Sequence, residues 1–284
     1  MLLSLGGDQK ANIVINDWQP NDRDMTLTLH GLDVDNGKVR ADVFAVKFRA
    51  LLSSLRAADK FANRKKSHEY VIETAQGGSI YTAVRERISV KKRIPAPSIP
   101  VMRDALMAVY NGEQTVERFP KGIIDNIRLI AKDAGKKFSH GEVGTKDNLV
   151  RIDDYLVKQV SKAEERILGT GLIKPRRHFE GISFGTFDGI VKEMDARGQL
   201  VRGKLILTAG EKEIDCIFRR DDLPTLKLSF DLRARVEGMA HYDGESLLPV
   251  RLDVRRIAVT EEAADLLRWR KALAHKRGRR KDPF

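Results

Sequence analysis

Eight basic side chains fall between positions 268 and 281 with no acidic residue among them: Arg268, Arg270, Lys271, Lys276, Arg277, Arg279, Arg280 and Lys281. Clustered cations of this kind attract phosphates by Coulomb forces and by releasing condensed counterions. Such contacts hold a nucleic-acid backbone and carry no base sequence. A second basic group lies upstream. Arg233 and Arg235 alternate with apolar residues on one predicted strand and so share its outer face. Arg251 is expected to face outward on the next strand, with Arg255 and Arg256 near its end. Lys91-Lys92-Arg93, Arg64-Lys65-Lys66 and Arg176-Arg177 are short clusters that read singly as solvated loops.

Other chemistry finds little support in the spacing. Asp33-Val34-Asp35-Asn36-Gly37 starts like a calcium loop but lacks the later ligands and the closing Glu, so it reads as a turn. The six histidines are scattered, none forming a short-spaced ligand pair, and His140 reads as a loop residue. Cys216 reads as a core thiol on a strand rather than a nucleophile. No phosphate-binding glycine loop, dinucleotide fingerprint, zinc knuckle or nucleophile elbow is present. Neither a catalytic site, a metal nor a cofactor is expected.

The elements that carry these groups are legible as hydrophobic periods. Met25 to Leu32 alternates apolar and polar residues, as a half-buried strand does. Apolar residues at three- and four-residue steps then predict a helix from about Val39 to Ala62. Glu69–Thr74 and Ser79–Val84 read as a hairpin about Gly77-Gly78. After Pro95, Pro97 and Pro100, helices are expected over Val101–Tyr110, over Lys121–Ala134 with Gly135 as C-cap, and over Asp153–Leu168 with Asp153 as N-cap. Gly169-Thr170-Gly171 and Lys174-Pro175-Arg176-Arg177 mark a boundary, giving an α+β domain over 1–168 with a small sheet.

From 175 to 260 the pattern becomes β. Strands are predicted at Ile182–Val191, Leu200–Thr208, Glu213–Arg219, Leu232–Tyr242 and Leu248–Val259, with the longest connection, containing Pro224, between the third and fourth. Five strands with that spacing resemble an OB-fold barrel, and the same spacing also fits another small β-barrel or a half-open sheet. The resemblance implies a small curved barrel and, in single-strand-binding members, exposed aromatics on which bases stack. Here Phe218 is in phase with the core residues Ile214 and Cys216, and Phe184, Phe187 and Tyr242 make no obvious stacking pair. That argues for gripping a backbone and against reading bases. A basic helical tail, 261–284, follows, with Leu266, Leu267 and Trp269 as apolar anchors.

The whole chain has 284 residues and a net charge of +12, which favours polyanionic partners. One cysteine excludes an internal disulfide and suits a reducing cytoplasm. No apolar run approaches the ~20 residues of a membrane span, and the N-terminus lacks the basic region of a signal peptide. The expected function is non-catalytic binding of DNA or RNA through the backbone. The alternative is a protein-interaction subunit of a larger bacterial complex.

Overall fold

The computed structural model describes residues 24–76, 80–90, 94–169, 178–208 and 210–260. The chain is an α+β protein built from a five-stranded sheet covered by helices and a separate five-stranded barrel.

The sheet contains β1 (Asp24–His30), β2 (His68–Gln76), β3 (Ile80–Ile88), β4 (His140–Gly144) and β5 (Leu149–Ile152), in the order β2-β3-β1-β4-β5 with every pairing antiparallel. Met25, Leu27 and Leu29 join the main core, while Asp24, Thr26, Thr28 and His30 alternate onto the opposite face. All seven residues are buried, so both faces of the central strand are covered. The half-buried strand expected from the alternation is therefore fully enclosed.

Four helices pack on the apolar face: α1 (Ala41–Asn63), α2 (Ser98–Asn111), α3 (Lys121–Ala131) and α4 (Asp154–Leu168). Each buries a three- and four-residue stripe, as Val43, Lys47, Ala50, Leu51, Ser54, Leu55 and Ala58 do in α1. Lys47 is buried because its ammonium donates to the carbonyl oxygens of Leu129 and Lys132, at the end of α3. Glu86 accepts from the N–H groups of Ser98 and Ile99 and so closes the start of α2. Asp153 caps α4 by accepting from the N–H groups of Tyr155 and Leu156. The third helix stops at Ala131, earlier than its period suggests, and Gly135 follows at φ +73°.

The barrel contains β6 (Glu180–Asp195), β7 (Leu200–Leu207), β8 (Glu213–Arg219), β9 (Arg233–Asp243) and β10 (Arg251–Val259). They close in the order β10-β8-β7-β6-β9, with β10 and β8 parallel and the other pairs antiparallel. The long connection between β8 and β9 holds a short helix, α5 (Leu223–Ser229), with Pro224 in its first turn, where the sequence pattern predicts no helix. Val191, Val201, Leu205, Ile214, Cys216, Phe218, Val236, Ala240, Leu252 and Val254 belong to the barrel core. Gly189 and Gly238 lie where neighbouring strands approach so closely that a Cβ would run into the backbone of Ile206 and of Asp253. Among the described residues no helix is long and apolar enough to cross a membrane.

Candidate functional site

Seven buried polar or charged side chains, His30, His140, Glu142, Arg151, Asp153, His241 and Arg251, gather where the barrel meets the sheet and its helices. At one end of this joint, Arg251 points out of the barrel from β10, as its phase requires. It meets the helices instead of water. Arg251 is 1% exposed, stacks over the Tyr155 ring at 4.1 Å and donates to Asp153, the residue that caps α4. Tyr110 donates to Asp253 at 2.8 Å, and His241 Nε2 lies 3.0 Å from the other Asp253 oxygen. The Tyr155 hydroxyl reaches His241 Nδ1 at 3.0 Å. The Tyr155 hydroxyl also donates to the Tyr110 carbonyl at 3.3 Å. Burial pushes the Tyr110 and Tyr155 phenols up, so both stay donors.

At the other end the β6–β7 turn sits on β4 and β5. Buried Glu142 accepts from the Leu200 N–H at 2.6 Å, and Arg151 donates to the Leu200 carbonyl at 2.6 Å and to Asp195 at 3.2 Å. Arg197, in the turn, donates to Asp195, Asp33 and Ser139. Beneath it the imidazoles of His30 and His140 stack with centroids 4.4 Å apart and planes 20° from parallel. Burial, reinforced by the Arg151 cation, lowers His30 to about 4 and His140 to about 3, so both are neutral near pH 7. Asp195 is opposed by burial, but the Arg197 hydrogen bonds and its neighbouring cations hold its carboxyl well below the usual carboxylate range. His140 is thus a buried strand residue, not the loop residue its Ser-His-Gly-Glu context suggested. Gly141 and Gly144 break the apolar alternation of β4, and only pairing with β1 makes it a strand.

A cleft of about 550 Å³ opens beside this joint, between α4 and the barrel. Its lining contains both carboxylates and cations, and Arg202 is held by Asp215 at 2.7 Å. Among the described residues no three His, Cys, Asp or Glu side chains gather in a way that could hold a metal ion. Cys216 is buried in the barrel, and burial pushes its thiol well up. Most of the joint's hydrogen bonds run between barrel and sheet or helices, while Arg251 Nε and Nη1 and Arg151 Nε are buried without a hydrogen-bond acceptor among the described residues; physically the joint fastens the barrel to the sheet.

The exposed face of the barrel differs. The β6–β9 register is unbroken from Glu180 to Ile190, so Ile182, Phe184, Thr186, Asp188 and Ile190 face outward beside His241, Met239, Glu237, Arg235 and Arg233; the joint covers His241, and the face opens to solvent from the Phe184–Met239 row onward. On β10 the register shifts between Val254 and Arg256. The extra residue turns two consecutive arginines, Arg255 and Arg256, to the exposed surface while Val254 and Ile257 stay in the core. Arg256 lies beside Glu237 in the ladder. Asp188 binds Arg233 at 3.0 Å and lies 3.9 Å from Arg235. Four outward arginines therefore face two carboxylates, Asp188 and Glu237, on a strip spanning three strands.

Of the residues singled out from sequence, the structure brings Arg233 and Arg235 together with Arg255 and Arg256. Arg251 is a correction: it is enclosed by Asp153 and Tyr155, and no ligand phosphate reaches it. The outward phase was right, but that part of the barrel surface is covered by α2 and α4. Arg268, Arg270, Lys271, Lys276, Arg277, Arg279, Arg280 and Lys281 lie outside the described residues, as do the runs at 91–93 and 176–177. The Arg64-Lys65-Lys66 loop is exposed. Neither the joint nor its histidine stack was visible in the sequence, because its members are spread from position 30 to position 253.

No protein-family model matches the chain, and no curated protein is similar to it in sequence.

Proposed function

We propose that this protein binds nucleic acid through the phosphate backbone, without catalysis and with little sequence preference, on the outer face of β6, β9 and β10. The observation that carries the reading is the strip of Arg233, Arg235, Arg255 and Arg256 on one exposed surface, outnumbering its carboxylates. Basic residues 268–281 follow β10 by only a few positions and would add phosphate contacts of the same kind.

The strand order supports an OB-like reading of the barrel. Counted within the barrel, the strands run first, second, third, fifth, fourth and back to the first, with the third and fifth parallel and a helix between third and fourth. The surface that OB modules commonly use, around the second and third strands, is less suited here. Two of its cations are already held: Arg202 by Asp215, and Lys204 by Glu193 and Glu213. The turn between first and second strands is committed to the sheet through Arg197.

The test is fluorescence anisotropy of labelled random-sequence oligonucleotides, single- and double-stranded, across a salt series. Affinity is expected to fall steeply with salt. The combined change Arg235→Gln, Arg255→Gln and Arg256→Gln should flatten the slope of log K against log salt by about 2–3, roughly 0.7–0.9 for each phosphate that is no longer neutralised. Absence of binding to any nucleic acid at low salt overturns the reading.

A second reading, a protein-assembly module, is favoured by one observation. Leu228, Phe230, Leu232 and Val259 are exposed close together at the end of the barrel where β10 finishes. Concentration-dependent self-association, measured by light scattering and abolished in Leu228→Ser with Phe230→Ser, would support it.

A further inference from the structure

Phe184 is 59% exposed in the middle of a β-strand. Among the described residues it is the one phenyl, phenol or indole ring on an outward position of any barrel strand. Phe187, Phe218 and Tyr242 all have inward phase, and all three belong to the barrel core or pack against it. Directly across the ladder from Phe184 stands Met239, only partly buried. Outward neighbours on an antiparallel pair lie about 5 Å apart at Cβ, so the phenyl ring and thioether form one apolar platform. The same face carries the arginine strip. Arg256 occupies the next outward row, beside Thr186 and Glu237, and Arg235 the row after that. At about 3.3 Å per residue the platform and the Arg235 row are about 13 Å apart along β6.

We infer that the ligand on this face is single-stranded nucleic acid, with a base stacked on Phe184 and the adjoining phosphates held by Arg256, Arg255 and Arg235. This rests on the proposed function and deepens it by naming the strand class. In a duplex the faces of the bases are covered by their neighbours, and a phenyl ring lying on a sheet finds only edges and backbone. An unpaired base offers its π-face and can cover the apolar surface that Phe184 and Met239 leave in water. Such stacking accepts every base, in keeping with weak sequence preference. It also revises the expectation that the barrel lacks a stacking platform: a single exposed aromatic beside a methionine supplies one.

The experiment compares the unaltered 284-residue chain with Phe184→Ala, Phe184→Trp and the triple Arg→Gln variant. The probes are a labelled single-stranded 12-mer of mixed sequence and the same sequence as a duplex, at one low salt concentration and across a salt series. Phe184 is exposed, and thermal melting followed by circular dichroism verifies that its variants fold. Phe184→Ala is expected to weaken single-strand binding by about 5- to 100-fold. It should leave duplex affinity and the salt slope unchanged, while Phe184→Trp restores single-strand affinity. Salt-dependent binding that Phe184→Ala does not weaken, or an equal drop on single strand and duplex, overturns the stacking assignment while leaving the backbone reading intact. No binding of either probe by the unaltered protein overturns both, and turns attention to a protein partner for the apolar end of the barrel.

Discussion

Acidification should loosen the joint between barrel and sheet well before the carboxylates titrate. His30 and His140 are 5% and 2% exposed and stacked against each other. The groups facing them are Arg151 and Glu142 from the sheet and Asp195 and Arg197 from the barrel turn. Both imidazoles titrate far below their ordinary value of 6.5, at about 4 and about 3. A depressed histidine stays neutral in the fold while its unfolded counterpart takes up a proton. Stability is therefore complete above pH 6.5, falls as pH drops below that value, and stops falling only near the folded pKa. Between pH 7 and pH 5 each histidine costs nearly 2 kcal/mol at 1.36 kcal/mol per unit, so the pair costs about 4 kcal/mol. That is a large share of the roughly 5–15 kcal/mol by which domains are stable. Asp195, held low, contributes stability that disappears only below the ordinary carboxylate range, so it is silent in this window. Glu142, raised by burial, binds its proton more readily in the fold and opposes the fall slightly. Urea unfolding followed by circular dichroism at pH 7.0, 6.0, 5.5 and 5.0 measures the profile, with the paired change His30→Asn and His140→Asn as the reference. The difference between the two profiles should approach a slope of about 2.7 kcal/mol per pH unit near pH 5. Parallel profiles, or a flat one in the unaltered protein, would refute the burial argument.

Two further outcomes follow from the same structure. Arg251→Met removes the guanidinium and leaves the buried Asp153 carboxylate with Arg151, 3.8 Å away, as its remaining cation, so stability should fall by up to about 3–5 kcal/mol in urea unfolding. Oligonucleotide affinity of the folded variant should not change, because Arg251 is inside the joint. Gly238→Ala drives a methyl group into the backbone of Asp253, and the β9–β10 ladder must part. Faster proteolysis within the barrel and a weaker β signal by circular dichroism are expected, and a variant with an unchanged melt would show that the strands can give way.

The helices and barrel strands are written in local periods. Apolar residues three and four apart mark α1 and α4, Asp153 announces the start of α4, and alternation places Cys216 and Phe218 inside the barrel. These are properties of neighbouring residues, so the chain alone carries them. The strands β4 and β5 have five and four residues, too short for a period, and β4 is further broken by glycines; pairing with β1 more than a hundred positions away draws β4 into the sheet, and β5 joins it through β4. Arg251 shows the limit most sharply. Its phase on β10 fixed that it leaves the barrel, and the sequence rightly set it opposite Leu252. Whether leaving the barrel means entering water depended on Asp153, 98 positions earlier. Polarity and period say which way a side chain points, while the docking of two separately packed surfaces decides what it meets there. The same docking hid Arg251 and the two histidines and left Arg233, Arg235, Arg255, Arg256 and Phe184 on the open side of the barrel.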